Sequence, residues 1–420
     1  MSEATLKQPK TNMSNGTKYF INFLVFFTYV LFALLWKAGD YYIAEFPFNA
    51  SEIALLTNAI SFAKIFGSLA AAVVLIRLGQ RKAFAVGLSL VIVGVAIVGS
   101  MGVFPLIFLI RFIMGLGGAF CVVYMSSVAA KLLEGKALQI MNGINVVAFN
   151  VGMVFALIFA KEMKLNIQDS IWIIGAMVVT VLITWLLVTK NLPDNATAAD
   201  KNAKPYSLKE GFKDRFNQIF AFTYCGMLSY YIVAFTFLPP AVVSWIMLFA
   251  LVGAALGTVI ATFITRKAEF VAFCGLLQII FASLLIVFAN SPLSTVFAIL
   301  LGLSLNMPTA SYAQLAFLRP GVSTNEISVT FSISSSVSYG FSIIAMQAFG
   351  FLTDITGGLT PQNTPVSSIP SIFVVFVESM WFFGALGLVY YFRKVAKETV
   401  ELDDEKEELA LESTERLTNV

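Results

Sequence analysis

The chain has 420 residues, 58% of them hydrophobic and only 12% charged, with a mean hydropathy of +0.85. Soluble domains carry about a quarter charged residues, so water is excluded as the main solvent of this chain. The net charge of +3 says less than where the charges fall, and the absence of His excludes a zinc site or a His-dependent triad, because the usual proton carrier and metal ligand is missing.

About eighteen polar residues open the chain, without the pattern of a cleavable signal. A hydrocarbon core about 30 Å thick takes about 20 apolar residues as helix. Twelve such runs follow in order, at 19–36, 53–76, 83–101, 104–130, 138–160, 171–188, 216–237, 241–264, 270–289, 292–317, 327–351 and 371–392. They are continuous and do not alternate, which predicts helices rather than barrel strands. The expected fold is an all-α membrane protein of twelve transmembrane helices in two pseudo-symmetric six-helix bundles. The expected units are an N-terminal cytoplasmic tail (1–18), a first bundle (19–189), a basic cytoplasmic linker (190–215), a second bundle (216–392) and an acidic cytoplasmic tail (393–420).

Orientation follows from Lys and Arg, which concentrate in cytoplasmic loops. With both termini cytoplasmic, all but five of the 27 fall on that side. Lys37, Lys161 and Lys164 are then placed outside, and Lys64 and Arg111 within the membrane. Cys121, Cys225 and Cys274 lie inside apolar runs and read as buried packing residues rather than disulfides. The tail Glu398–Glu415 is rich in acids and reads as a solvated, disordered stretch, with a docking role as the alternative.

Two motifs carry a resemblance. The second–third connection reads Arg77-Leu78-Gly79-Gln80-Arg81-Lys82, and the fourth span carries Arg111 followed by Gly115, Gly117 and Gly118. With the six-plus-six layout, these segments resemble the major facilitator superfamily over about residues 19–392. The resemblance implies two bundles around a midplane cavity, alternating access, and a gating role for the Arg77, Gly79, Arg81 and Lys82 loop. The family's acidic residue falls on Ile76, and its preceding Gly on Ala72, so that ion-pair latch cannot form in the same way. The fifth span has Asn150-Val151-Gly152 and lacks the Gly-Pro of the family's drug/proton antiporters.

A cation at mid-bilayer costs at least about 2.5–3.5 kcal/mol, so Lys64 and Arg111 are expected to face protein or water. Asn58, Ser61, Lys64 and Ser68 recur at steps of three, three and four, which is one helical face. Two readings stand: an anion-attracting pair, or cations that pair with carbonyls and with the fifth-span amides to hold the bundle. Snorkelling of Lys64 to an interface is a third. Candidate substrate contacts beside Lys64 and Arg111 are Tyr124, Asn142, Asn150, Asn306, Ser335 and Tyr339. Gln139 and Asn145 of the fifth span, and Tyr224, Tyr230 and Tyr231 of the seventh, are further polar groups. Pro308 removes a backbone donor and suits a moving gate. Glu378 is the acid within the twelfth span, and Asp40 and Asp354 are placed at span ends.

No Gly-rich phosphate loop follows a strand, so ATP drive has no site. The expectation is a secondary carrier in a cell (inner or plasma) membrane, with no cofactor, no metal and no catalytic residues, monomeric, surrounded by lipid and binding no nucleic acid. The expected substrate is a small organic or inorganic anion. A neutral sugar, nucleoside or amino acid is the alternative, and a receptor or membrane enzyme a remoter one. Coupling to H+ or Na+ stays open.

Overall fold

The computed structural model describes residues 13–190, 192, 207–319, 322, 324–356, 365–366 and 368–418. Residues 1–12 and most of the predicted linker lie outside that set, as do the side chains of Ala72, Ile76 and Gln139. The first half comprises α1 (Asn15–Ile43), α2 (Ala50–Ile92), α3 (Phe104–Leu132), α4 (Gly135–Ile158), the short α5 (Ala160–Leu165) and α6 (Ile167–Val188). The second comprises the short α7 (Leu208–Lys213), α8 (Arg215–Phe237), α9 (Pro240–Phe263), α10 (Lys267–Val287), α11 (Leu293–Asn306), α12 (Thr309–Leu315), α13 (Thr324–Ile355) and α14 (Ile369–Thr418).

Every predicted span coincides with helix, the third and the tenth each being made of two segments. Eleven are long and apolar enough to cross a membrane among the described residues. The remaining one is the first part of α2, whose polar face of Asn58, Ser61 and Lys64 is buried in protein. Helix α2 holds two spans because Gly79 interrupts it with φ 72° and ψ 167°, a conformation that glycine adopts without a Cβ penalty. The 3-10 segment Val93–Ser100 completes the third span.

Within the first half, α2 packs on α3, and α1 on α4 and α6. Within the second, α14 packs on α8 and α10, and α11 on α9. The halves meet along α2 with α13 and α4 with α9. The fourth-span glycines work as close-approach sites: a Cβ on Gly115 would stand 2.9 Å from the Ile60 Cα of α2.

The tenth span is split between α11 and α12 at Pro308. Proline has no N–H for the carbonyl four residues back, which is that of Ser304. The buried Gln278 of α10 supplies the missing donor, its Nε2 lying 2.7 Å from the Ser304 oxygen. The kink is therefore held by a neighbouring helix rather than left open.

Two expectations are corrected. The acidic tail is not a disordered stretch: α14 continues as helix to Thr418. Its Glu, Lys, Leu and Ala are strong helix formers and extend a helix already nucleated in the apolar span. Lys37 is not in a connecting loop: α1 runs past Trp36 to Ile43, and the Lys37 and Asp40 side chains are buried.

Candidate functional site

A cavity of about 290 Å³ lies where the halves meet, lined from α1, α2, α3 and α4 on one side and from α8, α9, α11, α12 and α13 on the other. Lys64, Asn150, Asn306, Ser335 and Tyr339 are among its lining residues. The hydroxyl stripe of α13 contributes Ser335 and Tyr339, one turn apart, while Ser342 turns its hydroxyl to its own helix at the Tyr339 carbonyl, 2.8 Å away. Tyr224 and Tyr231 of α8 also reach the cavity.

Lys64 is 3% exposed. Its ammonium donates to the Tyr339 hydroxyl at 3.0 Å and the Tyr29 hydroxyl at 3.4 Å. Around it stand the rings of Trp36 and Tyr339 (each 4.9 Å), Phe149 (5.3 Å), Phe32 (5.4 Å) and Tyr29 (5.8 Å). Ring faces attract cations within about 6 Å. Two hydroxyl acceptors and five ring faces hold the charge, and no carboxylate forms an ion pair with it among the described residues.

Arg111 is not beside Lys64 in the cavity wall. It is 1% exposed, and its Nη2 meets Asp40 Oδ1 at 2.6 Å, while Lys37 lies 3.8 Å from Asp40 Oδ2. The Lys37 ammonium also donates to the Phe235 carbonyl of α8, across the two halves. Arg111 is thus paired with a buried acid, whereas Lys64 has none among the described residues. Asp40 belongs to the buried part of α1, although the apolar run ends at Trp36.

Tyr124 and Asn142 also lie away from the cavity lining. The Tyr124 hydroxyl donates to the Ala71 carbonyl at 2.8 Å, which binds α3 to α2. Asn142 is half-buried with its Oδ1 unbonded. Asn150 is engaged across the halves, accepting from the Tyr231 hydroxyl. Asn145 lines the cavity at 7% exposure with neither amide atom bonded.

The loop expected to gate is fixed to its own half. Arg81 donates to the Leu186 carbonyl at 2.8 Å, Trp185 donates to the Arg81 carbonyl at 3.0 Å, and Gln80 donates to Ser127 Oγ at 2.8 Å. Arg77 and Lys82 are exposed. Glu378 is fully buried with neither carboxyl oxygen bonded, and it is not part of the cavity lining.

Sequence reasoning placed no site role on Tyr29, Trp36 and Phe149, which it read as membrane apolar residues. Their recurrence with Phe32 along one face of α1, and opposite on α4, was the available signal.

At the end of the molecule bearing the α1–α2 connection, α13 closes onto α2. Asp354 Oδ1 accepts from Ala50 N at 2.8 Å, and its Oδ2 from Ser51 N at 3.0 Å and Ser51 Oγ at 2.5 Å. Asn49 and Glu52 form a capping box over the same turn. Together they satisfy the first N–H groups of α2, which helix geometry leaves free. Gln347 adds a bond to the Ser51 carbonyl at 3.2 Å, and Asn58 one to the Ile343 carbonyl at 3.0 Å.

A bundle of apolar helices around a largely aromatic cavity shared by two halves, with a few polar groups in its wall, fits a membrane transporter of a small solute. The family model described as Major Facilitator Superfamily matches residues 19–345, and the chain belongs to that family. It is 27% identical over 226 residues to an uncharacterized protein, Cj0987c, of Campylobacter jejuni subsp. jejuni serotype O:2, spanning 52% of this chain and 69% of that one. Its fold is similar to that of a mutant of the nucleoside transporter NupG, with a TM-score of 0.66 and 12% identity, over 89% of this chain and 99% of that one.

Proposed function

We propose that the protein is a secondary carrier working by alternating access, whose cargo is a small polar metabolite bearing an anionic group. Lys64 carries this reading. A buried ammonium is costly unless compensated, and among the described residues this one is held by hydroxyls and ring faces alone, in the wall of the shared cavity. A carboxylate entering there would supply the missing counter-charge. Arg111 belongs to the positive surroundings rather than the contact surface, since the buried Lys37–Asp40–Arg111 group holds two cations for one acid.

The hydrogen bond from the Lys64 Nζ of α2 to the Tyr339 hydroxyl of α13 supports a substrate charge held at a junction of the two halves. Rocking of the halves breaks and remakes such junctions, including the Asp354 closure. We place the protein in a cell membrane with both termini on the cytoplasmic side, following the Lys and Arg distribution.

A neutral metabolite is the second reading, favoured by the nucleoside transporter of similar fold and by the aromatic and amide lining. Purified protein screened for thermal stabilisation separates them, because a ligand that binds only the folded state raises apparent stability by mass action. Carboxylates that stabilise the native chain and no longer stabilise Lys64→Gln support the anion reading. Stabilisation by nucleosides or sugars that survives Lys64→Gln establishes the neutral one. Uptake into proteoliposomes under an H+ or Na+ gradient alone then identifies the coupling ion.

A further inference from the structure

Three amides in or near the cavity are each bonded through one side of the carboxamide. Asn150 accepts from Tyr231, Asn58 donates to Ile343, and Gln278 braces the proline kink. Asn145 differs: its Nδ2 and Oδ1 are both buried and both unbonded, although it lines the cavity. Buried polar groups are satisfied in the great majority of cases, and a carboxamide presents one donor side and one acceptor side together. What completes it is a group with an acceptor beside a donor.

Its position relative to Lys64 fixes the geometry. Asn145 lies four residues before Phe149 on α4, so the two share a face about 6 Å apart along the helix. The Phe149 ring is 5.3 Å from the Lys64 ammonium and stands among the rings of Trp36 (5.5 Å), Tyr29 (5.9 Å), Phe235 (6.3 Å) and Tyr231 (6.4 Å). Between the charged pole and the amide pole the wall is therefore aromatic, at separations where rings stack or meet edge to face.

We infer that the substrate is a small flat-ring acid with a donor–acceptor edge, its acid group set on Lys64, its ring against Phe149 and its edge on the Asn145 carboxamide. This rests on the anion reading above and adds Asn145 as the residue that determines specificity. A simple carboxylate satisfies one pole, and a neutral ring with an amide-like edge satisfies the other. Only a solute with both satisfies the cavity.

Three probes of similar size separate these cases in binding to the full-length protein in nanodiscs. Orotate has the ring, the acid and the edge; benzoate lacks the edge; uracil lacks the acid. Orotate is expected to bind more tightly than either. Asn145→Leu should weaken orotate about tenfold, the equivalent of one net hydrogen bond, and leave benzoate within about twofold. Asn145→Ser, small and polar, should show the same split and guards against a folding defect in the leucine variant. Lys64→Gln should weaken orotate and benzoate together and spare uracil. If either Asn145 variant weakens benzoate as much as orotate, or neither weakens orotate, the assignment of Asn145 is overturned while the anion reading stands. If orotate binds no better than the other two, or none of the three binds, the ring-acid class is overturned. If Lys64→Gln leaves benzoate and orotate unchanged, the anion reading itself falls.

Discussion

The two halves present different chemistry to one cavity. From the first come Lys64, Asn145 and Asn150, backed by the buried Lys37, Asp40 and Arg111. From the second come Tyr224, Tyr231, Tyr339, Ser335, Thr309 and Asn306, with neither cation nor carboxylate among its lining residues. The buried acid of the second half, Glu378, sits outside the lining with both oxygens unbonded. The halves thus differ in one respect: the first alone supplies a charged group to the lining, whereas both supply hydroxyls and ring faces around it.

The sharpest way to break this comparison is to disturb the charge cluster behind the cavity. Asp40→Asn leaves Arg111 and Lys37 without their acid, and removing one partner of a buried pair costs about 3–5 kcal/mol. The expected result is a large drop in thermal stability, measured in detergent by tryptophan fluorescence or scanning calorimetry. The double variant Asp40→Asn with Arg111→Gln should recover part of it. If the single variant is as stable as the parent, the cluster does not hold the first half together.

Lys64→Gln should act in the opposite sense on stability. It removes a buried charge that lacks a carboxylate partner, so the empty protein should melt at an equal or higher temperature. Anion uptake should nevertheless fall sharply, because losing one side of a buried charge contact costs about 2–5 kcal/mol of binding. Loss of stability together with uptake would make Lys64 a structural residue and erase the contrast with Asp40. Tyr339→Phe sharpens the same point from the other half. It keeps the ring 4.9 Å from Lys64 and removes the hydroxyl acceptor at 3.0 Å. A hydrogen bond to a charged group contributes about 1.5–3 kcal/mol, so uptake should fall roughly tenfold or more. Uptake equal to the parent would show that the ring alone positions the ammonium.

The helices were legible because lipid leaves little freedom: each span must be continuous, apolar and about 20 residues long. Periodicity also brought Lys64 to an inward face, since a polar stripe on a membrane helix must be shielded from lipid by protein or by a hydrated cavity. Arg111 was misplaced for a physical reason. Its acid, Asp40, lies four residues beyond Trp36, where the apolar pattern stops, and nothing in hydropathy tells a helix end from a polar helix turn buried by its neighbours. Tyr124 shows a second limit: its hydroxyl serves a carbonyl of the adjacent helix, a partner that periodicity within one helix cannot reveal. Asn145 stood among four fifth-span amides, and what singles it out is a buried carboxamide at the cavity wall with neither atom bonded, which no sequence pattern reveals. The tail was misread because its charge outweighed its helix-forming residues, whereas attachment to a stable span removes the cost of helix nucleation.

The smallest effect expected is at Asp354, and it tests the junction rather than either half. Its carboxylate reaches from α13 to the first N–H groups of α2, where the helix dipole favours negative charge. Asp354→Asn keeps one acceptor oxygen and loses the charge and the second oxygen, a loss comparable with a capping substitution, about 1 kcal/mol. That shifts the balance between closed and open forms at the α1–α2 end by roughly fivefold and should leave overall stability nearly unchanged, because α2 retains its Asn49–Glu52 capping box. A cysteine introduced at Ser51 in both backgrounds reads the shift: its rate of modification by a water-soluble maleimide should rise severalfold with Asp354→Asn. Ser51 itself donates to Asp354, so the same comparison made with the cysteine at the half-buried Gln347 removes that dependence. If both positions react at the parental rate, the closure is held by the packing of α2 on α13 alone, and the carboxylate serves only the end of the helix.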